Sequence, residues 1–186
     1  MDKDTKIERY GYPLYSLYST RKVLSQKQQI RVEDEDGNVL YRSESKPLSP
    51  VDKTVITDAE GKETARFERK AGSMRERHIL TMSSGMELLL EKEPLHLIKE
   101  ITNIRNVNWQ LRGDVRRLDF DIVDMYGQVI AVIGHRRFSK DDKYCIDIYQ
   151  DESSDVVVCV LIILMHLVRD RNIKNASKIA KAGRIK

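Results

Sequence analysis

The sequence is poor in the residues and spacings that usually announce chemistry. Among 186 residues there are two cysteines, four histidines and nine glycines. Cys145 and Cys159 fall in no CxxC or Cys/His spacing, which excludes a zinc finger and a disulfide framework. Both have apolar neighbours and are expected as buried free thiols, and a thiol inside an apolar helix is inert. His78, His96, His135 and His166 are scattered without HExxH or comparable ligand spacing, so no metal centre is expected. The glycines form neither a Walker A loop nor a GxGxxG fingerprint, and there is no GxSxG. These absences predict a protein without a cofactor and without catalysis.

A surplus of one charge is also missing from most of the chain. The 33 Lys+Arg against 29 Asp+Glu leave +4. Residues 169–186 hold seven of those cations and only Asp170, or +6, so residues 1–168 carry 26 positive and 28 negative charges, or −2. A near-neutral body with a basic tail is a poor candidate for general nucleic-acid binding, and no specific nucleic-acid partner is expected. The first residues, Met1-Asp-Lys-Asp-Thr-Lys6, contain no apolar stretch of the secretory kind, so a cytoplasmic location is the default.

Turn chemistry is what the sequence does supply. Asp34-Glu-Asp-Gly37, Asp58-Ala-Glu-Gly61 and Asp124-Met-Tyr-Gly127 each read DxxG between apolar runs, with a weaker copy at Met82-Ser-Ser-Gly85. An aspartate that bonds back to following amides and a glycine that accepts the left-handed conformation specify a type I turn with a bulge. The glycine spacing gives a hairpin repeat of about 24 residues, with an additional strand pair in the last interval. Period-two patterns mark strands at 118–122 and 144–149, whereas Val129–Ile133 is apolar on both faces and should be more deeply buried. Further strands are expected at 23–33, 38–46, 53–58, 62–70, 76–82, 86–92, 96–104 and 107–112. That makes eleven, or twelve with an N-terminal segment, and no helix is expected before residue 151. So many hairpins require a sandwich or a closed barrel to protect their edges.

At residue 151 the texture changes. Asp151-Glu-Ser-Ser-Asp155 precedes Val156–Val168, which His166 alone interrupts, and Arg169-Asp-Arg171 follows. Acids before and bases after suit a helix dipole, and the length favours a helix over a strand. A helix apolar on every side must be surrounded. Thirteen residues reach only about 20 Å at 1.5 Å each, short of a hydrocarbon core of about 30 Å. The segment is therefore expected inside the barrel. The competing reading, a scramblase-like membrane protein, uses 156–168 as a span.

The run Phe120-Asp-Ile-Val-Asp-Met-Tyr-Gly127, Gln-Val-Ile-Ala-Val-Ile-Gly134, His-Arg-Arg-Phe-Ser-Lys140, Asp-Asp-Lys-Tyr-Cys-Ile-Asp-Ile148, then the apolar segment and Arg169-Asp-Arg171, resembles the LURP-one-related family. That family belongs to the tubby-like C-terminal superfamily, together with the phospholipid scramblases. The resemblance covers roughly residues 20–170 and includes the hairpins at 34–37 and 58–61. It implies a tubby-like antiparallel β-barrel of about twelve strands enclosing a C-terminal hydrophobic helix. The boundaries expected are an extension at 1–19, a barrel at 20–171 with its helix at about 153–170, and a basic tail at 172–186. Tubby domains bind phosphoinositides through a basic pocket and scramblase relatives act at membranes, but no pocket residue carries over to this sequence.

Two basic groups are the candidate site. Arg136, Arg137, Lys140 and Lys143 span a strand end, a turn and the next strand, where they form a phosphate-sized patch that Asp141 and Asp142 partly neutralise. In the tail, Lys174, Lys178 and Lys181 follow Arg171 at steps of three and four, along one face of a helix. The expected partner is an anionic phospholipid surface, contacted by a binding or scaffold module at the membrane periphery. The other readings of that segment are a solubilising tail without a partner and attachment to nucleic acid. The acids Glu33–Asp36 read as a solvated turn without EF-hand spacing. Asp119, Asp121 and Asp124 read as strand and turn residues, not catalytic carboxylates.

Overall fold

The computed structural model describes residues 8–24, 27–45, 53–70, 77–92, 102–135 and 143–182. The strands are β1 (Tyr15–Leu24), β2 (Lys27–Glu33), β3 (Val39–Ser45), β4 (Lys53–Asp58), β5 (Glu63–Lys70), β6 (Arg77–Met82), β7 (Glu87–Lys92), β8 (Thr102–Arg105), β9 (Trp109–Asp114), β10 (Asp119–Val123), β11 (Val129–His135) and β12 (Lys143–Ile148). Each pairs antiparallel with the next, and β1 pairs with β12, from Tyr15↔Ile148 to Thr20↔Lys143, so the barrel closes without an edge. The long helix α1 (Ser154–Ala182) follows β12, and residues 8–10 are also helical, against the expectation of no helix before residue 151. This is the closed form of the barrel or sandwich that the turn repeat requires, with the helix that the apolar segment predicts, and it is the tubby-like architecture that the family resemblance implies.

The hairpin turns form as their chemistry requires. Asp34 Oδ1 accepts from the amides of Asp36 at 3.0 Å and Asn38 at 2.8 Å, and Gly37 sits at φ +86°. Asp124 repeats the arrangement with Tyr126 and Gln128. The strand register slips by one residue at Val32/Glu33, Ile56/Thr57 and Ile122/Val123, the bulge that accompanies such a turn.

Alternate residues of every strand bury toward the centre, among them Leu17, Ile30, Ile56, Phe67, Leu80, Leu88, Ile104, Leu111, Phe120, Ile133 and Ile146. Every residue of α1 from Val157 to His166 is buried as well. The helix is apolar all round because strands surround it, and each buried Val, Leu or Ile contributes about 1.5–3 kcal/mol relative to exposure. The residues that a membrane span would need are thus the core of the barrel. Among the described residues no helix is long and apolar enough to cross a membrane.

Several boundaries differ from expectation. The strand expected at 23–33 is β2 from Lys27 onward, and residues 23–24 close β1. The segment 15–19 belongs to β1, not to an extension; of its inward positions only Leu17 is aliphatic, so its period-two signal is faint. The strand expected at 107–112 is β9, starting at Trp109, because Asn106 (φ 77°) and Asn108 (φ 54°) turn the chain. The strand expected at 96–104 is described only as β8; residues 93–101 lie outside the described residues. The helix does not stop near 170 but continues through residues assigned to the tail as far as Ala182. That stretch loses its apolar character but keeps good helix formers and meets no glycine or proline before Gly183.

Candidate functional site

All hairpin turns of the DxxG type lie at the end of the barrel where α1 begins, here the near end. The corner between β9 and β10 lies at the opposite, far end, toward which α1 runs. Sorting charge by end changes the picture drawn from the sequence. Near-end residues 33–38, 58–63, 83–87, 105–108, 124–128 and 149–155 hold twelve carboxylates against Lys62 and Arg105, a net −10. At the far end, the described residues within 20–29, 43–55, 68–79, 90–104, 114–119, 133–145 and 169–182 hold sixteen cations against six carboxylates, a net +10. Residues 169–182 supply +4 of that far-end charge. The described far end of the near-neutral body itself carries +6 against −10 at the near end, so the body is polarised and α1 lies along it with acids at its N-terminus and bases at its C-terminus.

The residues singled out from the sequence fall partly within this basic end. Lys143 opens β12 opposite Thr20. Arg136, Arg137 and Lys140 lie outside the described residues. Lys174, Lys178 and Lys181 belong to α1, and their side chains lie outside the described set. Sequence reasoning did not single out Arg116 and Arg117, in the 3-10 turn Val115–Arg117 that makes the β9–β10 corner. Asp114 holds that turn, accepting from the Arg117 amide at 3.1 Å and pairing with its guanidinium at 3.4 Å.

The near end is tied to the helix start by phenols. Tyr15 donates to Asp151 Oδ1 at 2.5 Å and Tyr41 donates to Asp155. Burial, then the Asp155 bond, pushes the Tyr41 phenol far above its usual range, so it stays a donor. One turn further, burial pushes the Cys159 thiol up to about 12, with Asp155 adding to the effect. That thiol is the inert core group expected. Cys145 differs: it is half-buried on the outer wall, and its Sγ donates to Asp147 Oδ1 at 3.3 Å. Toward the far end the interior turns polar, where Ser19 Oγ meets Met165 Sδ at 3.1 Å and Ser43 Oγ lies 3.0 Å from His166 Nε2. His166 is thus a core histidine.

The outer wall over β10, β11 and β12 holds the feature least visible beforehand. Register places Arg112, Asp121, Val132, Asp147 and Ser16 in one outward row across β9, β10, β11, β12 and β1. Alternation predicts solvent there, yet Asp121 is 8% exposed and Asp147 9%. Residues 8–11 cover the wall. Tyr10 donates to Asp121, the Arg9 guanidinium lies 4.0 Å from the same carboxylate and 5.1 Å over the Tyr10 ring, and Tyr149 donates to the Gly11 carbonyl at 3.2 Å. Ser16 donates to Asp147 at 2.7 Å. Burial and the Asp121 bond push the Tyr10 phenol up to about 12. The one sequence signal was β11, whose outward Ile130 and Val132 required a cover. Among the described residues no group of three or more His, Cys, Asp or Glu side chains is placed to hold a metal ion.

Comparison with known proteins gives concordant results. The Bacillus subtilis (strain 168) protein YxjI, described as uncharacterized, is 24% identical over 153 residues, covering 82% of this chain and 91% of its own. An Arabidopsis thaliana protein solved by X-ray crystallography superposes with a TM-score of 0.54 over 84% of this chain and 94% of its own; at 12% identity the likeness is one of fold. The family described as LURP-one-related matches residues 15–165, from the first residue of β1 to the last apolar residue of the buried helix turn. The barrel together with the helix that fills it is the unit matched, and the chain belongs to the LURP-one-related family.

Proposed function

We propose that this chain is a non-catalytic binding module whose basic far end rests on anionic phospholipid headgroups at a membrane periphery. The observation that carries the reading is the separation of charge among the described residues, +10 at the far end with the helix continuation included and −10 at the near end. Such a field turns the molecule as it approaches a negative surface, presenting the far end and holding the near end away. Cations within a Debye length of an anionic leaflet contribute about 1 kcal/mol each, so the helix continuation, Lys143 and the Arg116–Arg117 corner are enough for reversible attachment without any inserted segment. The arginines add forked donors for phosphate oxygens. A non-catalytic role accords with the engagement of the groups that might react: Cys159 is a neutral core thiol, His166 meets Ser43, Asp121 is bonded to Tyr10 of the wall's cover and Asp147 to Ser16 of the neighbouring strand β1.

Flotation of the full chain with vesicles tests the reading. Vesicles of phosphatidylcholine with phosphatidylserine should carry the protein upward in dilute buffer and release it in about 0.5 M salt, where the Debye length falls to a few ångströms. Vesicles of phosphatidylcholine alone should leave it at the bottom. Equal flotation with both, or with neither, would overturn the proposal.

A further inference from the structure

The lipid reading gives no role to the near end, which carries its own unusual surface. Tyr12 is 82% exposed and Tyr126 80%, and Leu14 and Met125 are also largely exposed. They lie together in the topology. Met125 and Tyr126 are in the turn that leads into β11, and Leu14 immediately precedes β1. The end of β12 separates them, tied to both sides by Tyr149 N–H to the Ile130 carbonyl (2.9 Å) and Leu14 N–H to the Ile148 carbonyl (2.8 Å). Two strand spacings separate the pairs by about 10 Å. This apolar group sits in the rim of twelve carboxylates and two cations. A partner suited to it is basic and partly apolar.

The same chain contains such a segment at its other end. Beyond Val168, α1 continues through Ala182, about 21 Å of helix at 1.5 Å per residue. Its sequence there holds Arg169, Arg171, Lys174, Lys178 and Lys181 against Asp170, with Ile173 and Ile179 among alanines. We infer that the protein associates with itself head to tail, the near end of one copy receiving the C-terminal continuation of α1 from a second copy. The occupant is a second copy because the two ends are opposite and, among the described residues, equal in charge, and because the apolar rim residues match a helix whose sequence carries isoleucine beside its cations. Contact between two near ends, or between two far ends, is excluded by repulsion. The interface is heterologous, so each addition leaves one acidic and one basic end open, and growth passes beyond a dimer to a ring or a chain of copies.

Light scattering on lipid-free protein, over a range of concentrations, provides the test and is independent of the membrane reading. In about 20 mM salt the average mass should climb with concentration past twice the monomer's 21.6 kDa, and in about 300 mM salt it should return to the monomer. A second arm uses two full-length variants. One is Glu35→Lys, Asp36→Lys, Glu60→Lys, which cuts the acidic end from −10 to −4 and leaves the basic end intact; the other is Lys174→Glu, Lys178→Glu, Lys181→Glu, which cuts the basic end from +10 to +4 and leaves the acidic end intact. Each alone should be monomeric, and an equimolar mixture should stop at a one-to-one dimer. The inference fails if the wild type stays monomeric at low salt, if it stops at a dimer, or if the mixture of folded variants does not associate. The wild-type series decides the matter even where a variant does not fold.

Discussion

Replacing Gly113 by alanine should be far more damaging than the same change at the turn glycines. Among the described residues six glycines have positive φ, and of these only Gly113, at +129°, has atoms where a side chain would go. A Cβ there would lie 2.7 Å from the Asp119 carbonyl oxygen and 2.9 Å from the Phe120 Cα, on the facing strand β10. Both are backbone atoms, so neither can rotate away, and relief requires β9 and β10 to separate. Backbone strain of about 1–3 kcal/mol and overpacking of about 1–3 kcal/mol give roughly 4 kcal/mol for Gly113→Ala. At Gly37, where φ is +86° and nothing lies within 4 Å, the left-handed penalty is partly offset by the lost entropy of the unfolded glycine. That leaves about 1 kcal/mol. For a domain of this size the thermal midpoint falls by about 2–4 °C per kcal/mol, so melting followed by circular dichroism should drop by about 8–16 °C for Gly113→Ala and 2–4 °C for Gly37→Ala. Equal shifts for the two variants would refute the reasoning, because they would mean that the close approach of β9 to β10 is not enforced. The same pair of strands carries the Arg116–Arg117 corner of the basic end, so the variant also bears on the proposed contact with headgroups.

Two other consequences are open to measurement. Leu161 is fully buried in the middle of the enclosed helix, so Leu161→Ala should cost about 2–5 kcal/mol in urea unfolding; a loss below about 1 kcal/mol would contradict a close-packed interior. The Tyr10 phenol, raised from 10.0 to about 12, should titrate late in an ultraviolet absorbance titration, and Asp121→Asn should bring it back toward 10.0. Because the folded value lies above the unfolded one, this phenol's contribution to stability is fully present below pH 10.0 and is lost as pH rises through about 12. An unchanged titration in the Asp121 variant would dissociate Tyr10 from the wall.

Much of the fold was legible because its signals are local. A DxxG turn declares itself within four residues, strand alternation within five, and the all-apolar run of α1 within thirteen. What escaped the sequence depends on contacts between distant parts of the chain. The burial of Asp121 comes from Tyr10, 111 residues away, and nothing in the alternation around Asp121 encodes that cover. The weak start of β1 is settled by its pairing with β12, more than a hundred residues later. The charge asymmetry was missed for another reason. Summation along the chain mixes acidic turns with basic strand ends, and these segregate only when antiparallel strands send alternate connections to opposite ends. The helix continuation through 171–182 was hidden because its apolar pattern stops where the barrel does, while its helix-forming composition does not.

The closure of β1 onto β12 also constrains how the molecule comes into being. No barrel of this register is complete until residue 148 is available to face Tyr15, and the filling helix follows later still. Hairpins can therefore form in order during synthesis, but their inward leucines and isoleucines have nothing to pack on until the last element arrives. Contacts of such sequence separation make folding slow, and the waiting sheet exposes apolar faces in the meantime. The dense charge on the turns and strand ends, considered above as a means of finding partners, would during that interval keep unfinished chains from finding one another.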